Sequence, residues 1–304
     1  MLVRKAARKQ HIVTRGLLAK FVDGDGFLWV YEKNKPVRKS KPENECHQRD
    51  FYEYDLNGRT TQNRYENWLA RMEENAVPLI RPLIERRQLA PEQAVVVSSF
   101  IASLFLRTRK VRAQISNATV AKFRDQSKDP NFVRDWQYRL FLAGELRSTE
   151  GLKKEADALR AAMEDSPSFY HVVSLPRHTR VVAEAIMRKS WQTIEAPSDL
   201  FFVTSDCPVS TVEFVDGKVL PGVGFGKENA VIFLPLSPRY VFAASHVGWP
   251  EIAEPRFVES LNRLTVQFAH QNVYANRDCA ALRVLVDAGI NRLVFGQNAL
   301  LPSN

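Results

Sequence analysis

His11 stands at the mouth of an apolar segment, in the stretch QHIVTRGLLAKF. An imidazole changes charge near neutral pH, so it can work as a general acid or base. Arg15 follows four residues later, and on a helix the two would share one face. A neutral imidazole beside a fixed cation suits a phosphodiester: one group moves protons and the other stabilises charge. The alternative is a structural histidine, partly buried among apolar neighbours.

The segment TSDCPV, Thr204 to Val209, is a second candidate. A strand reads into it, and Ser205 and Asp206 fall at the strand end before Pro208. A carboxylate there is exposed on a rigid scaffold, which suits catalysis or metal binding. It also suits an Asx turn in which Asp206 binds its own backbone. Glu66 and Glu73 form a third candidate, on one predicted helix. By the helical period each lies about 90° from the apolar centre line, at the core boundary. They can reach into a cleft or pair in solvent with Arg64 and Arg71. The fourth is the cationic run Arg107, Arg109, Lys110 and Arg112, with Lys5, Arg8 and Lys9 as companions. Guanidinium forks match phosphates. Cations at a helix C-terminus also complement the helix dipole.

Other patterns fail. GVGFGKEN, Gly222 to Asn229, lacks the spacing of a phosphate loop and reads as a hairpin loop. Asp206, Glu213 and Lys218 lack the tight acid-x-Lys spacing that puts both groups on one strand face. His47, His171, His178, His246 and His270 show no metal-ligand spacing. Cys46, Cys207 and Cys279 are far apart and odd in number, which argues against a disulfide framework or a cysteine-built zinc site.

The elements that must position these groups follow from periodicity. Leu17, Leu18 and Phe21 form a short apolar stripe, and DGDG at 23–26 is a turn. FLWVYEK reads as a strand and VRKSK as its polar partner. Trp68, Leu69, Met72 and Ala76 keep the helical period until Pro78 and Pro82 interrupt it. Pro91 opens a helix faced by Val97, Phe100, Ile101, Leu104 and Phe105, with the cationic run at its end. Further helices are expected over 130–145, 149–164 and 176–192. From Asp199 the texture turns to strands: DLFFVTSDCPV, a hairpin around Asp216-Gly217, AVIFLPLSP and RYVFAAS. A helix from Pro255, the strand NVYA and a helix over 278–288 close the chain. Segregated strands and helices predict an α+β protein. It has a central α-helical block and a mainly antiparallel sheet built from the N-terminal hairpin and the C-terminal strands. We read 1–304 as a single domain with a β-rich unit at 1–60, a helical block at 61–195 and a β-rich region with closing helices at 196–304.

The chain has 304 residues, 45% of them hydrophobic, enough for a core and against a disordered tail. Its formal charge is +9, which favours phosphates or anionic surfaces. MLVRKAARKQ has no apolar stretch behind it, so it does not read as a secretory signal, and the cytoplasm is the expected compartment. The longest nearly apolar run, Ala94 to Leu106, is too short to span a bilayer, so no membrane partner is expected.

In this order the landmarks resemble a bacterial family of unknown function, domain-of-unknown-function family 4238. Its pattern opens with a histidine, then P-Q, L-x-x-F and an aromatic strand. Here these are His11, Leu18, Phe21 and LWVYEK, followed by the aromatic mark DFYEY. A helix with glutamates corresponds to Glu66 and Glu73, and a helix ending in arginines to the cationic run. The phrase F-I-T-S-D-N-P-V is FVTSDCPV here, preceded by a helix ending at Trp191 and followed by Leu261-Asn262. Thr14-Arg15 replaces P-Q, and Cys207 replaces the asparagine. The resemblance implies that His11 and Asp206 belong to one site. It brings no established reaction.

The leading expectation is a cytoplasmic bacterial enzyme acting on nucleic acid, a phosphodiesterase or ribonuclease-like effector. His11 would be general acid or base, and Asp206 would orient it or hold a divalent metal ion. Glu66 would be a second carboxylate and Arg109 a phosphate clamp. Arg15, Arg107, Lys110, Arg112 and Ser205 would contact substrate. The alternatives are a non-catalytic nucleic-acid-binding or regulatory partner, and an enzyme on a small anionic metabolite.

Overall fold

A computed structural model describes residues 9–293, apart from 50, 53–54, 57–58, 61–63, 87, 127–128, 130, 143, 166–168 and 217. Lys5 and Arg8 lie outside the described residues, as do parts of DFYEY. The N-terminal region carries β1 (Lys9–His11), α1 (Arg15–Leu18), β2 (Leu28–Glu32), β3 (Arg38–Ser40), β4 (His47–Arg49), β5 (Asp55–Leu56) and β6 (Arg59–Thr60). The helical block follows as α2 (Arg64–Ala76), α3 (Ile80–Ile84), α4 (Pro91–Leu106), α5 (Arg109–Gln126), α6 (Phe132–Leu142), α7 (Thr149–Asp165) and α8 (Phe169–Met187). Then come β7 (Ser190–Glu195), β8 (Thr204–Ser205), β9 (Ser210–Val215), β10 (Lys218–Pro221), β11 (Ala230–Pro235) and β12 (Tyr240–Ser245). The described chain closes with α9 (Pro255–Phe268), β13 (Asn272–Ala275) and α10 (Ala280–Gly289).

The architecture is α+β. One antiparallel sheet runs β3-β2-β13-β8 and joins the N-terminal hairpin to the C-terminal strands. Its central register sets Tyr31 against Val273 and Trp29 against Ala275. A second antiparallel sheet, β10-β9-β11-β12-β7, is wholly C-terminal. Between them α4 is buried on almost every side, with Phe100, Ile101, Leu104, Phe105 and Leu106 all in the core. That explains a nearly unbroken apolar run in place of an amphipathic stripe. Pro91 starts this helix, and Gln93 accepts the Ala90 N–H at 3.0 Å. One apolar cluster holds Leu17, Leu18 and Phe21 from the N-terminal stripe together with Phe105 of α4, Leu175 of α8, Phe242 of β12 and Tyr274 of β13. Each such side chain contributes about 1.5–3 kcal/mol on burial.

Four local expectations change. His11 and Arg15 do not share a helix face: His11 ends β1, and Arg15 begins α1. The break comes at Thr14, whose hydroxyl caps α1 by accepting the Gly16 N–H at 3.2 Å. The cationic run does not merely end a helix; Arg107 and Thr108 separate α4 from α5, and the run straddles the joint. The helix expected over 176–192 is α8, which carries Pro176 inside it and stops at Met187. Trp191 lies in β7, where pairing along the whole of β12 captures the chain and its ring packs edge-on against Phe242. GVGFGKEN is not a hairpin loop: it joins β10 to β11, which flank β9 on opposite sides, and Phe225 within it is buried against Phe105 at 4.6 Å between ring centroids.

Candidate functional site

The turn from α9 to β13 is held from both sides. Asp206, one residue past β8, accepts the backbone N–H groups of His270 at 2.7 Å, Gln271 at 2.8 Å and Asn272 at 3.0 Å. On the other side the buried Lys110 ammonium donates to the carbonyls of Phe268, at 3.1 Å, and Leu293. Asp206 therefore reaches across to another segment. Its neighbour Ser205 makes the local turn, accepting from the Cys207 N–H at 3.1 Å and donating to the Cys207 carbonyl at 2.9 Å. Burial pushes the Asp206 carboxyl up, against the pull of the three N–H donors. Burial likewise pushes Lys110 down, opposed by Cys207 and Asp206. The phrase FVTSD and the pair Leu261-Asn262 meet here too. The Asn262 amide donates to the Phe201 carbonyl at 2.8 Å and accepts the Val203 N–H at 3.0 Å.

This turn forms one wall of a polar pocket of about 210 Å³. His270, Asp206 and Asn272 come from that wall, Glu32 and Arg38 from the β2–β3 hairpin, Glu45 from just before β4, His47 from its first position, and Arg109 from the start of α5. Its carboxylates are engaged. Glu45 takes both terminal nitrogens of Arg38, at 2.6 and 3.1 Å. Glu32 pairs with Lys35 at 2.5 Å and with Arg38 at 3.3 Å. Asp206 holds its three N–H groups. Arg109 uses only Nε among the described residues, donating to Gln48 at 3.1 Å, so its two terminal nitrogens are uncommitted. The half-buried imidazoles of His47 and His270 have no hydrogen-bond partner among the described residues.

Behind His47 lies His11, its register partner across β1 and β4, with the rings edge to face at 6.2 Å. Burial lowers the His11 pKa, as do the charges of His47, Arg107 and Arg15, while Glu73 pulls the other way. Its Nε2 is buried with no hydrogen-bond partner. Arg107 is fully buried, paired through Nη1 to Glu73 at 2.5 Å, and its Nε and Nη2 are unspent. Burial works against that charge, but Glu73, Tyr52 and Glu66 outweigh it and raise the pKa. A histidine, an ion pair and a second carboxylate thus sit together beside the pocket.

The residues singled out from sequence fall into three places. Arg109 and Asp206 line the pocket. His11, Glu66, Glu73 and Arg107 belong to the electrostatic cluster behind it, with Arg15 exposed at its edge. Lys110, Ser205 and Arg112 are taken up by the protein itself. The Arg112 guanidinium lies 4.1 Å over the Phe51 ring and donates to the Phe51 carbonyl, and burial pushes its pKa down to about 10. His11 and Asp206 are brought to the same region but connect only through intermediates, His47 on one side and the His270 turn on the other. His47 and His270 stand in no ligand spacing, so their residue types alone do not single them out in the sequence. No local pattern marks His47; only the register of β1 on β4 sets it beside His11. Among the described residues no three His, Cys, Asp or Glu side chains converge to hold a metal ion. No described helix is long and apolar enough to cross a membrane.

These features define an α+β protein with a polar pocket where its N-terminal hairpin meets its C-terminal turn. The family model described as "Protein of unknown function (DUF4238)" matches residues 9–278, and the chain belongs to that family. No curated protein and no solved structure matches it.

Proposed function

We propose that the protein is a phosphodiesterase acting on nucleic acid, with its chemistry in the pocket of His47, Arg109 and His270. The supporting observation is the convergence of two imidazoles and one guanidinium, all with uncommitted donors, where every carboxylate already has partners. One imidazole takes a proton from the attacking water as its oxygen bonds to phosphorus. The ester P–O bond breaks, and the second imidazole gives its proton to the leaving oxygen. Arg109 stabilises the charge that builds on the phosphoryl oxygens. His11, packed against His47, acts as a positioning residue, and so does Asp206 through the backbone of His270.

The test is cleavage of end-labelled single-stranded RNA, single-stranded DNA and duplex DNA, with Mg²⁺, Mn²⁺ or EDTA. Wild type is run beside His47→Ala, His11→Ala and Asp206→Ala. Cleavage is expected in the wild type, with a loss of about 10²-fold or more in His47→Ala. Intact substrate in every lane, with salt-sensitive binding retained, would overturn the proposal in favour of a non-catalytic nucleic-acid binder.

A further inference from the structure

The cationic run would give a nucleic-acid enzyme a track of phosphate contacts if its members were exposed. They are not. Arg107 is fully buried on Glu73, Lys110 is plugged into two carbonyls, and Arg112 lies on Phe51. Arg109 alone of the four lines the pocket. The cavity itself is about 210 Å³, below the range of about 300–1,000 Å³ typical of pockets for drug-sized ligands. It has room for one phosphate and part of the group beside it.

The donors and acceptors left over describe that ligand. The Arg109 terminal nitrogens and the His47 and His270 imidazoles can all donate to phosphate oxygens. The pocket's Asn272 has its Oδ1 buried with no hydrogen-bond partner. That oxygen has no exposed surface, so recognition of the ligand rests on the donors. Glu32 is matched by Lys35 and Arg38, and Glu45 by Arg38. That leaves Arg109 to offset Asp206, so the pocket is not a strong anion field. Its selectivity is geometric.

We infer that the pocket takes a single phosphate group, so the substrate is engaged at a strand end or as a short oligonucleotide. The interior of a long strand, which needs contacts to flanking phosphates, is not the substrate. This rests on the phosphodiesterase reading, and the two can fail separately.

The experiment has two arms. In the first, inorganic phosphate is titrated into the full chain, and the histidine side-chain resonances are followed by NMR. Saturable shifts of His47 and His270 at millimolar phosphate are expected, lost in Arg109→Ala and partly kept in Arg109→Lys. Unmoved resonances would overturn the inference. In the second arm, circular single-stranded DNA is compared with the same sequence linearised. Degradation of the linear form at least about 100-fold faster than nicking of the circle is expected. Equal rates on both, abolished by His47→Ala, would overturn the inference and leave the phosphodiesterase standing. Phosphate binding with no cleavage of any substrate would leave the anion site standing and remove the phosphodiesterase.

Discussion

A buried guanidinium such as Arg107 is tolerated only because of what faces it. Its partner Glu73 is 22% exposed, so one charge of the pair keeps some water and the other has none. Removing the partner strands the arginine, which costs far more than the pair contributes net. Glu73→Gln is therefore expected to destabilise the protein by about 3 kcal/mol in urea unfolding. A change below about 0.5 kcal/mol would mean that the charge is carried by Glu66 instead. The same substitution removes the carboxylate that opposes burial at His11, so the His11 pKa is expected to fall further in an NMR titration.

At the scale of elements, α1 is seated by close approach. A Cβ on Gly16 would meet both methyl groups of Val77 at 2.9 Å. Helix propensity alone favours alanine over glycine by about 1 kcal/mol. Overpacking of this kind costs about 1–3 kcal/mol, and a β-branched valine has little rotamer freedom with which to yield. Gly16→Ala is expected to be net destabilising by about 1 kcal/mol, read from the denaturation midpoint. Adding Val77→Ala should return part of that loss, so the double variant is more stable than additivity allows. If the single variant is instead stabilised, propensity outweighs the contact and α1 is looser than its packing indicates. The α9–β13 turn shows the same logic with polar groups: Lys110 holds its carbonyl side, Asp206 its N–H side, and His270 is fixed between them.

Over the whole molecule, buried histidines set the response to acid. His171 is fully buried, both ring nitrogens lack a hydrogen-bond partner, and burial pushes its pKa down to about 3. His178 and His11 are lowered by the same cause. A histidine with a depressed folded pKa binds fewer protons folded than unfolded. Its contribution is complete above the unfolded value near 6.5 and is lost as pH falls towards the folded value. The slope is at most about 1.4 kcal/mol per pH unit for each such histidine. Asp206, pushed up, works in the opposite sense at lower pH. Stability measured in urea should therefore decline from about pH 6.5 downwards, and His171→Leu should flatten that decline. An unchanged slope would show that His171 is protonated in the folded protein.

The segregation of helices and strands was legible in the sequence, because the helical period, strand alternation and turn pairs are short-range. Tyr65 to Ala76, Asp216-Gly217 and Pro255 each report on neighbours within a turn or two. The importance of Asp206 was legible as well, since a carboxylate just after a strand must bind something. What it binds was not: its partners are backbone groups of residues 270–272, which share no local pattern with it. Trp191 read as helix because no helix-stop residue precedes it, and only pairing with β12 made it strand. The cationic run read as a phosphate surface because sequence carries charge but not burial. Core packing around α4 turned three of its four cations inward or onto the protein's own carbonyls and rings. Pairing of β2 with β13, and of β1 with β4, then decided that His47, Arg109 and His270 share a pocket. Those are long-range contacts, set by register and by apolar burial between the chain ends. No spacing within one segment encodes them.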